Sequence, residues 1–407
     1  MNLRTLILAG ALSVSGTVSY ANCAYKNDTP VSMLAAGFEA WKAVANAMAE
    51  CGNFTAELDQ EFRKKQPAAF AATPSLYQIG GVSNGTITPL LNEGTIRPLD
   101  DLVEKYGQHL SPNQLIRIDG KIMAIAMMVN TQNLQYRRDV LEDLDIPVPQ
   151  TWEEVLAAAA KIREAGVVDY PLGATMKSGW NLALEFINLF YGYGGVFVDD
   201  NNMPTVNTDA GIKALETMKA TTEFLDPEYL VSDSTYVQQQ FQQGKIAMAN
   251  LWASRAGASD DEAESQVVGL VNSTAAPRVL DGGAPATTIW WDGAVIARNI
   301  TDEQAEAAFR LIVEGMDTGM VEANNDAAIW LIPGYVPNRL AQGAIETLQA
   351  QPPAVSYPST SAMGLMHTAT GNNVSRFLTG SADAETTLKA IESDYLISAK
   401  EAGLIPN

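Results

Sequence analysis

Cysteine and histidine are the scarcest chemistry-bearing residues of this chain, two of each in 407 positions. Two histidines, His109 and His367, give little support to a multi-histidine zinc site, so no metal is expected. Cys23 and Cys51 form an even pair near the N-terminus, and in an oxidising compartment such a pair points to one disulfide. A Cys–His catalytic pair needs a free thiol, which that bridge would remove. Positive charge is also thin. Lys and Arg number 26 against 47 Asp and Glu, a net charge of −21. Such acidity opposes binding to nucleic acid or to an anionic membrane and suits a soluble monomer. No basic patch with interleaved aromatics occurs. Long apolar runs are missing as well, and the longest near the start, Leu6 to Val14, is too short to span a bilayer. Gly244-Lys245 is followed by Ile246 and lacks the upstream glycine of a Walker A loop, so no nucleotide or other cofactor is expected. Internal repeats, coiled coils and low-complexity linkers are absent too.

What is present begins with an export signal. Arg4 supplies a positive region, Leu6 to Val14 an apolar core, and Ser19-Tyr20-Ala21 a small-x-small cleavage site. Residues 1–21 therefore read as a signal peptide cleaved near Ala21, which places the mature protein in the periplasm. Tyr20-Ala21-Asn22 before Cys23 lack a lipoprotein pattern. A hydrophobic content of 47% over this length is ample for two cored domains. Without a linker, two domains imply a chain that crosses between them more than once.

Short strands are expected at Val31–Ala35, Phe54–Leu58 and Ser75–Ile79. Gly37 to Trp41 reads as a loop leading to a helix that ends near Glu50, and 80–85 as a glycine-rich turn. Thr151 with Glu154, and Thr301 with Gln304, are capping boxes ahead of apolar stripes at helical spacing. Leu388, Ile391 and Tyr395 mark one face of a C-terminal helix. Strands alternating with helices argue for an α/β protein whose site lies at strand ends.

Several segments together resemble one family, the extracellular solute-binding proteins of carbohydrate ABC importers, of which the maltodextrin-binding protein is a member. The densest stretch runs from Gly120-Lys121 through an apolar strand to a polar crossover. It continues with Tyr136-x-Arg138-Asp139 and with Pro149-x-Thr151-Trp152-x-Glu154. Phe241-x-x-Gly244-Lys245-x-Ala247-Met248, followed by Trp252, is a second match. Gly194-Gly195 to Asp199 and Leu91 to Leu102 are a third and a fourth. The resemblance implies a periplasmic-binding-protein-like fold of two α/β lobes joined by a three-crossing hinge. Lobe one would comprise 22–129 plus 293–332, and lobe two 131–290 plus 336–407. The hinge would lie near 129–131, 290–293 and 332–336. It also implies a receptor that closes on a sugar, polyol or sugar-like solute and hands it to the permease subunits of an ABC transporter. The crossover position that is a ligand-binding Glu in the maltodextrin protein is Asn130 here, which leaves the individual sugar open.

A sugar offers C–H faces for aromatic rings and edge hydroxyls for amides and carboxylates. An unpaired polar group costs about 1–3 kcal/mol, the source of selectivity. The candidate ligand contacts are Phe38, Glu39, Trp41, Ser83, Asn84 and Asn130 from lobe one. Trp180, Asn181 and Trp252 come from lobe two, Trp290, Trp291 and Asp292 from the second hinge segment, and Trp330 from the third. Trp290 and Trp291, adjacent on a strand, point to opposite faces, so one should meet the cleft while the other packs. Trp152, just past a helix cap, reads as structural.

Two other readings compete. The same fold could hold a cationic osmolyte or polyamine through cation–π contact with these aromatics and acids. A secreted hydrolase could use Gly81-x-Ser83-x-Gly85 as a nucleophile elbow, or Glu39 and Asp292 as a glycosidase carboxylate pair. Too few strands precede Ser83 for the first. Asn84, Asn130 and Asn181 favour a neutral sugar over a cation.

Overall fold

The computed structural model describes residues 23–406, so the signal-peptide reading lies outside the described residues. The chain opens with β1 (Asn27–Ala35), β2 (Gly52–Leu58) and β3 (Ile79–Ser83), continues with β4 (Leu115–Ile118) and β5 (Lys121–Asn130), and separates the first strands by helices. After Thr131 it enters β6 (Gln132–Arg137), then β7 (Tyr170–Gly173), β8 (Ile246–Trp252) and β9 (Val271–Thr274). It then returns in β10 (Thr288–Ile296) and finishes its strands with β11 (Ile329–Trp330) and β12 (Val355–Ser356).

These strands form two sheets. The first has the order β11-β5-β10-β3-β1-β2, with β4 beside β5 and β12 beside β10. The second has the order β7-β8-β6-β9. β1 is parallel to β2 and β3, as strand–helix–strand units require, whereas β10 runs antiparallel to both β3 and β5. The antiparallel strand is the mark of a chain that has left the first sheet and come back. β5 and β6 are separated by Thr131 alone, so one nearly continuous strand serves both sheets.

Each sheet has its own apolar core. Under the first, Trp41, Val44 and Met48 of the helix Glu39–Glu50 meet Phe309 and Ile312 of the helix Asp302–Gly315. Under the second, Phe186 and Phe190 of the helix Trp180–Gly192 meet Leu388, Ile391 and Tyr395 of the C-terminal helix Ala384–Glu401. β10 contributes to both: Trp290 packs with the second core, Ala294 and Ile296 with the first. Cys23 and Cys51 are joined, their Cα atoms 5.2 Å apart, which ties the start of the described chain to the end of the first helix. Among the described residues no helix is long and apolar enough to cross a membrane.

Two local expectations are corrected. Ser75–Ile79 is not a strand; β3 starts at Ile79 and runs through the segment read as a turn. Gly80 and Gly81 serve close packing there: a Cβ would lie 2.7 Å from Phe70 at the first and 2.4 Å from the Ala35 Cβ at the second. Likewise Glu39 and Trp41 lie inside the first helix, not in a loop. Both capping boxes are formed, Thr151 with Glu154 and Thr301 with Gln304.

Candidate functional site

Strand ends and helix starts from both sheets converge on one cavity of about 410 Å3. The first sheet supplies Ser83 at the end of β3, Asn130 at the end of β5, and Trp290 and Asp292 from β10. Phe38, just before the first helix, and Glu61 to Lys64, at the start of the helix Phe62–Ala71, complete that side. The second sheet supplies Trp252 at the end of β8 with Ser254 and Arg255 just beyond it. Trp180 and Asn181 open one helix there, and Asp233 to Thr235 open the helix Ser234–Gln242. A strand's C-terminal end and a helix's N-terminus both leave backbone groups free to meet a solute.

Three indoles frame the cavity. Trp290 lies edge-on to Trp180, with centroids 5.6 Å apart and planes at 67°. It is nearly perpendicular to Trp252, at 5.9 Å and 89°. Trp290 is only 3% exposed, and its Nε1–H donates to Thr288 Oγ1 at 2.8 Å, so its ring is fixed from behind. Tyr357 packs on the far side of that ring, with centroids 4.1 Å apart. Trp180 is held as firmly: the His367 ring stacks beneath it at 5.0 Å, and His367 Nε2 donates to the Trp180 carbonyl at 2.9 Å. The other ring nitrogen then accepts from the Tyr357 hydroxyl at 2.8 Å. Burial pushes the His367 pKa down to about 4, so the ring is neutral at physiological pH.

The polar groups are arranged around these rings. The Asp292 carboxyl makes no hydrogen bond among the described residues, and burial raises its pKa to about 7 against the opposing pull of Arg63. Arg63 lies over the Trp180 ring, 4.7 Å from its centroid, and joins the two sides of the cleft. Asn130 donates to Ser254 Oγ at 3.1 Å while its Oδ1 accepts from Ser254 N–H at 3.3 Å, a second tie across the crossover. Arg255 donates to Gln238 Oε1 at 3.1 Å and to Ser234 Oγ at 3.3 Å. Lys177 pairs with Asp233 at 3.3 Å, and Lys64 pairs with Glu61.

Of the thirteen candidates, Phe38, Ser83, Asn130, Trp180, Asn181, Trp252, Trp290 and Asp292 share this cavity. Five do not line it. Trp41 is 1% exposed in the first core, because a helical position facing β3 leaves it no route to the cleft. Trp330 is buried in the same core and donates to the Asn324 carbonyl at 3.0 Å. Glu39 is exposed and pairs with Lys42 at 2.6 Å. Asn84 is buried and donates to the carbonyls of Ile289 and Tyr357, tying β3's end to β10. Trp291 packs on the face of β10 opposite Trp290. Arg63, Lys177, Asp233 and Arg255 were not singled out from the sequence. They sit in short polar segments that read as solvated helix ends, and only their spacing after Leu58, Met176 and Trp252 marks them as following strand ends or loops.

The hydrolase constellations do not assemble. Ser83 Oγ lies 3.3 Å from Thr86 Oγ1, His367 is occupied by Tyr357 and Trp180, and His109 is exposed. Glu39 and Asp292 do not share the cavity. Aromatic walls with amide, carboxyl and guanidinium groups are equipment for holding a polyhydroxylated solute.

Known proteins agree in architecture. The structure is similar to an ABC transporter solute-binding protein from Agrobacterium radiobacter K84 in complex with ribitol. That likeness has a TM-score of 0.77 at 20% identity, over 91% of this chain and 99% of that one. It is similar also to a maltose-bound protein of T. maritima, with a TM-score of 0.78 at 18% identity, over 90% of this chain and 99% of that one. At such identities these likenesses speak to the fold. In sequence, the chain is 26% identical over 162 residues to the sn-glycerol-3-phosphate-binding periplasmic protein of Rhizobium meliloti. That match covers 37% of this chain and 33% of that one. The chain spans about a third to a half of the length of the curated relatives it matches. The family described as bacterial extracellular solute-binding protein matches residues 35–312, well over half of the sequence. With the two-sheet fold and the cleft between them, that match establishes that the chain belongs to the bacterial extracellular solute-binding protein family.

Proposed function

We propose that this protein is the periplasmic receptor of an ABC importer, binding a sugar, polyol or similar polyhydroxylated solute in the cleft and delivering it to the membrane permease. The observation that carries this reading is the cavity of about 410 Å3, framed by Trp290 with Trp180 and Trp252 each edge-on to it and lined by Asn130, Asn181, Asp292 and Arg63. The volume falls in the range of roughly 300–1,000 Å3 common to small-molecule sites. Rings take the apolar faces of the solute, and the polar side chains take its hydroxyls. The ribitol, maltose and sn-glycerol 3-phosphate named for the similar proteins are all polyhydroxylated or derived from polyols, which supports the same class here.

The two sheets act as lobes, with residues up to about 129 plus 293–332 in one, and 131–290 plus 336–407 in the other. The single residue between β5 and β6, and the sharing of β10 between both cores, support crossings near 130 and 291. The contact of Arg63 with the Trp180 ring, one from each side of the cleft, supports closure about these strands. The protein works as a monomer, binds its solute without chemistry, and is exported by residues 1–21.

A thermal-shift screen of the mature chain tests this against sugars, polyols, betaines and polyamines, with ester and glycoside turnover assayed alongside. A solute at about 100 times its Kd adds roughly 2.7 kcal/mol by mass action. Stabilisation by a sugar or polyol is expected. Stabilisation by cationic osmolytes alone would reassign the ligand, and turnover of an ester or glycoside would overturn the receptor reading.

A further inference from the structure

The cleft contains seven charged side chains, and their pairing is uneven. Lys64 is paired with Glu61, and Lys177 with Asp233, whose Oδ1 also caps its helix through Thr235 and Tyr236 N–H. Arg63 faces Asp292 without forming an ion pair. Arg255 is left over. The carboxylates that act on it are Asp233 and Glu39, and these are held by Lys177 and Lys42. Among the described residues its guanidinium bonds only to neutral oxygens, Gln238 Oε1 and Ser234 Oγ, which fix two of its nitrogens and leave other N–H donors for the cleft. Desolvation acts against the charged form of both Arg63 and Arg255. In a protein of net charge −21, two arginines that line this cavity and form no ion pair among the described residues are an exception that a bound anion would resolve.

A second feature points the same way. The helix Trp180–Gly192 begins at the cavity after Gly179, and no side chain caps it. Its first N–H groups and its dipole favour negative charge, and Arg63 lies over the ring of its first residue.

Resting on the reading of this cleft as a polyol or sugar site, we propose that the solute carries an oxyanion, a carboxylate, phosphate or sulfonate on a polyhydroxylated body, received by Arg255 and Arg63. The tryptophans hold the body, Asp292 and Asn130 take hydroxyls, and the anion supplies the missing partner of the guanidinium groups. A cationic solute would meet the same two arginines and be repelled.

Calorimetric titration of the mature chain separates the possibilities with matched probes: sorbitol against sorbitol 6-phosphate and gluconate, glycerol against glycerol 3-phosphate, and glycine betaine and spermidine as cations. The tightest probe should be an anion, binding at least about tenfold more tightly than its neutral parent. Arg255→Gln should weaken that anion by about 10- to 100-fold, the range expected for a charge-assisted hydrogen bond, and weaken the neutral parent by less than about threefold. Arg255→Lys should fall between, and Arg298→Gln, on the outer surface, should change neither. Circular dichroism and melting of each variant show that it is folded. If a neutral polyol is the tightest probe, or Arg255→Gln leaves the anion-to-neutral ratio unchanged, the oxyanion is wrong and the receptor reading stands. If a cation is tightest, the oxyanion and the polyol or sugar ligand both fall, and the chain is a receptor for a cationic solute.

Discussion

His367 works from behind the cleft. Its Nε2–H fixes the carbonyl of Trp180, its Nδ1 takes the Tyr357 hydroxyl proton, and its ring supports the indole. His367→Phe would keep the stacking surface and strand a buried hydroxyl and a carbonyl, for a cost of about 1–3 kcal/mol in urea denaturation. Solute affinity should fall with it, because Trp180 loses its anchor. Asp292 offers a pH test. Its pKa in the fold, about 7, lies above its ordinary value of 3.8, so the folded state binds more protons than the unfolded chain between those pH values. Its contribution therefore worsens as pH rises from about 4 to about 7 and is constant above. Asp292→Asn removes this penalty, so its melting point relative to wild type should rise between pH 4.5 and pH 8. A gap that does not change with pH would show that the carboxyl is not desolvated. Residue-scale legibility was limited by burial. Trp290 and Trp41 have the same chemistry, and only the sheet decides that one ring meets the cleft and the other packs under Gly81.

Among the elements, helix starts were the most legible. A Thr three residues ahead of Glu or Gln fixes an N-terminus by local chemistry alone, and both boxes form as that chemistry requires. Thr151→Ala should destabilise the protein by about 1 kcal/mol, read as a lower denaturation midpoint at unchanged slope. It should leave solute affinity alone, since Thr151 does not line the cavity. β3 resembles a turn in sequence because of its glycines. They are there because Phe70, Ala35 and Trp41 press against that strand, a tertiary constraint with no local signature. Arg63, Lys177 and Arg255 were missed for a related reason. A cation at a helix start looks like a solvated end until a second sheet closes over it.

At the scale of the molecule, the two cores share β10, and the cleft opens where β5 passes into β6 and β10 lies between both. The two-lobed plan was legible from motifs in register along the chain, from Gly120 to Trp252. The charge pattern of the cleft was not, because its members come from five segments spread between residues 61 and 292. In the proposed receptor the solute sits among Trp180, Trp252 and Trp290. Intrinsic tryptophan fluorescence, titrated with the most stabilising solute in wild type and Trp252→Ala, tests it most directly. A saturable change in wild-type emission is expected, with at least about a tenfold weaker titration in the variant, about 1.4 kcal/mol. A variant that binds as wild type does, or a solute that stabilises the chain without touching its tryptophan emission, would contradict it.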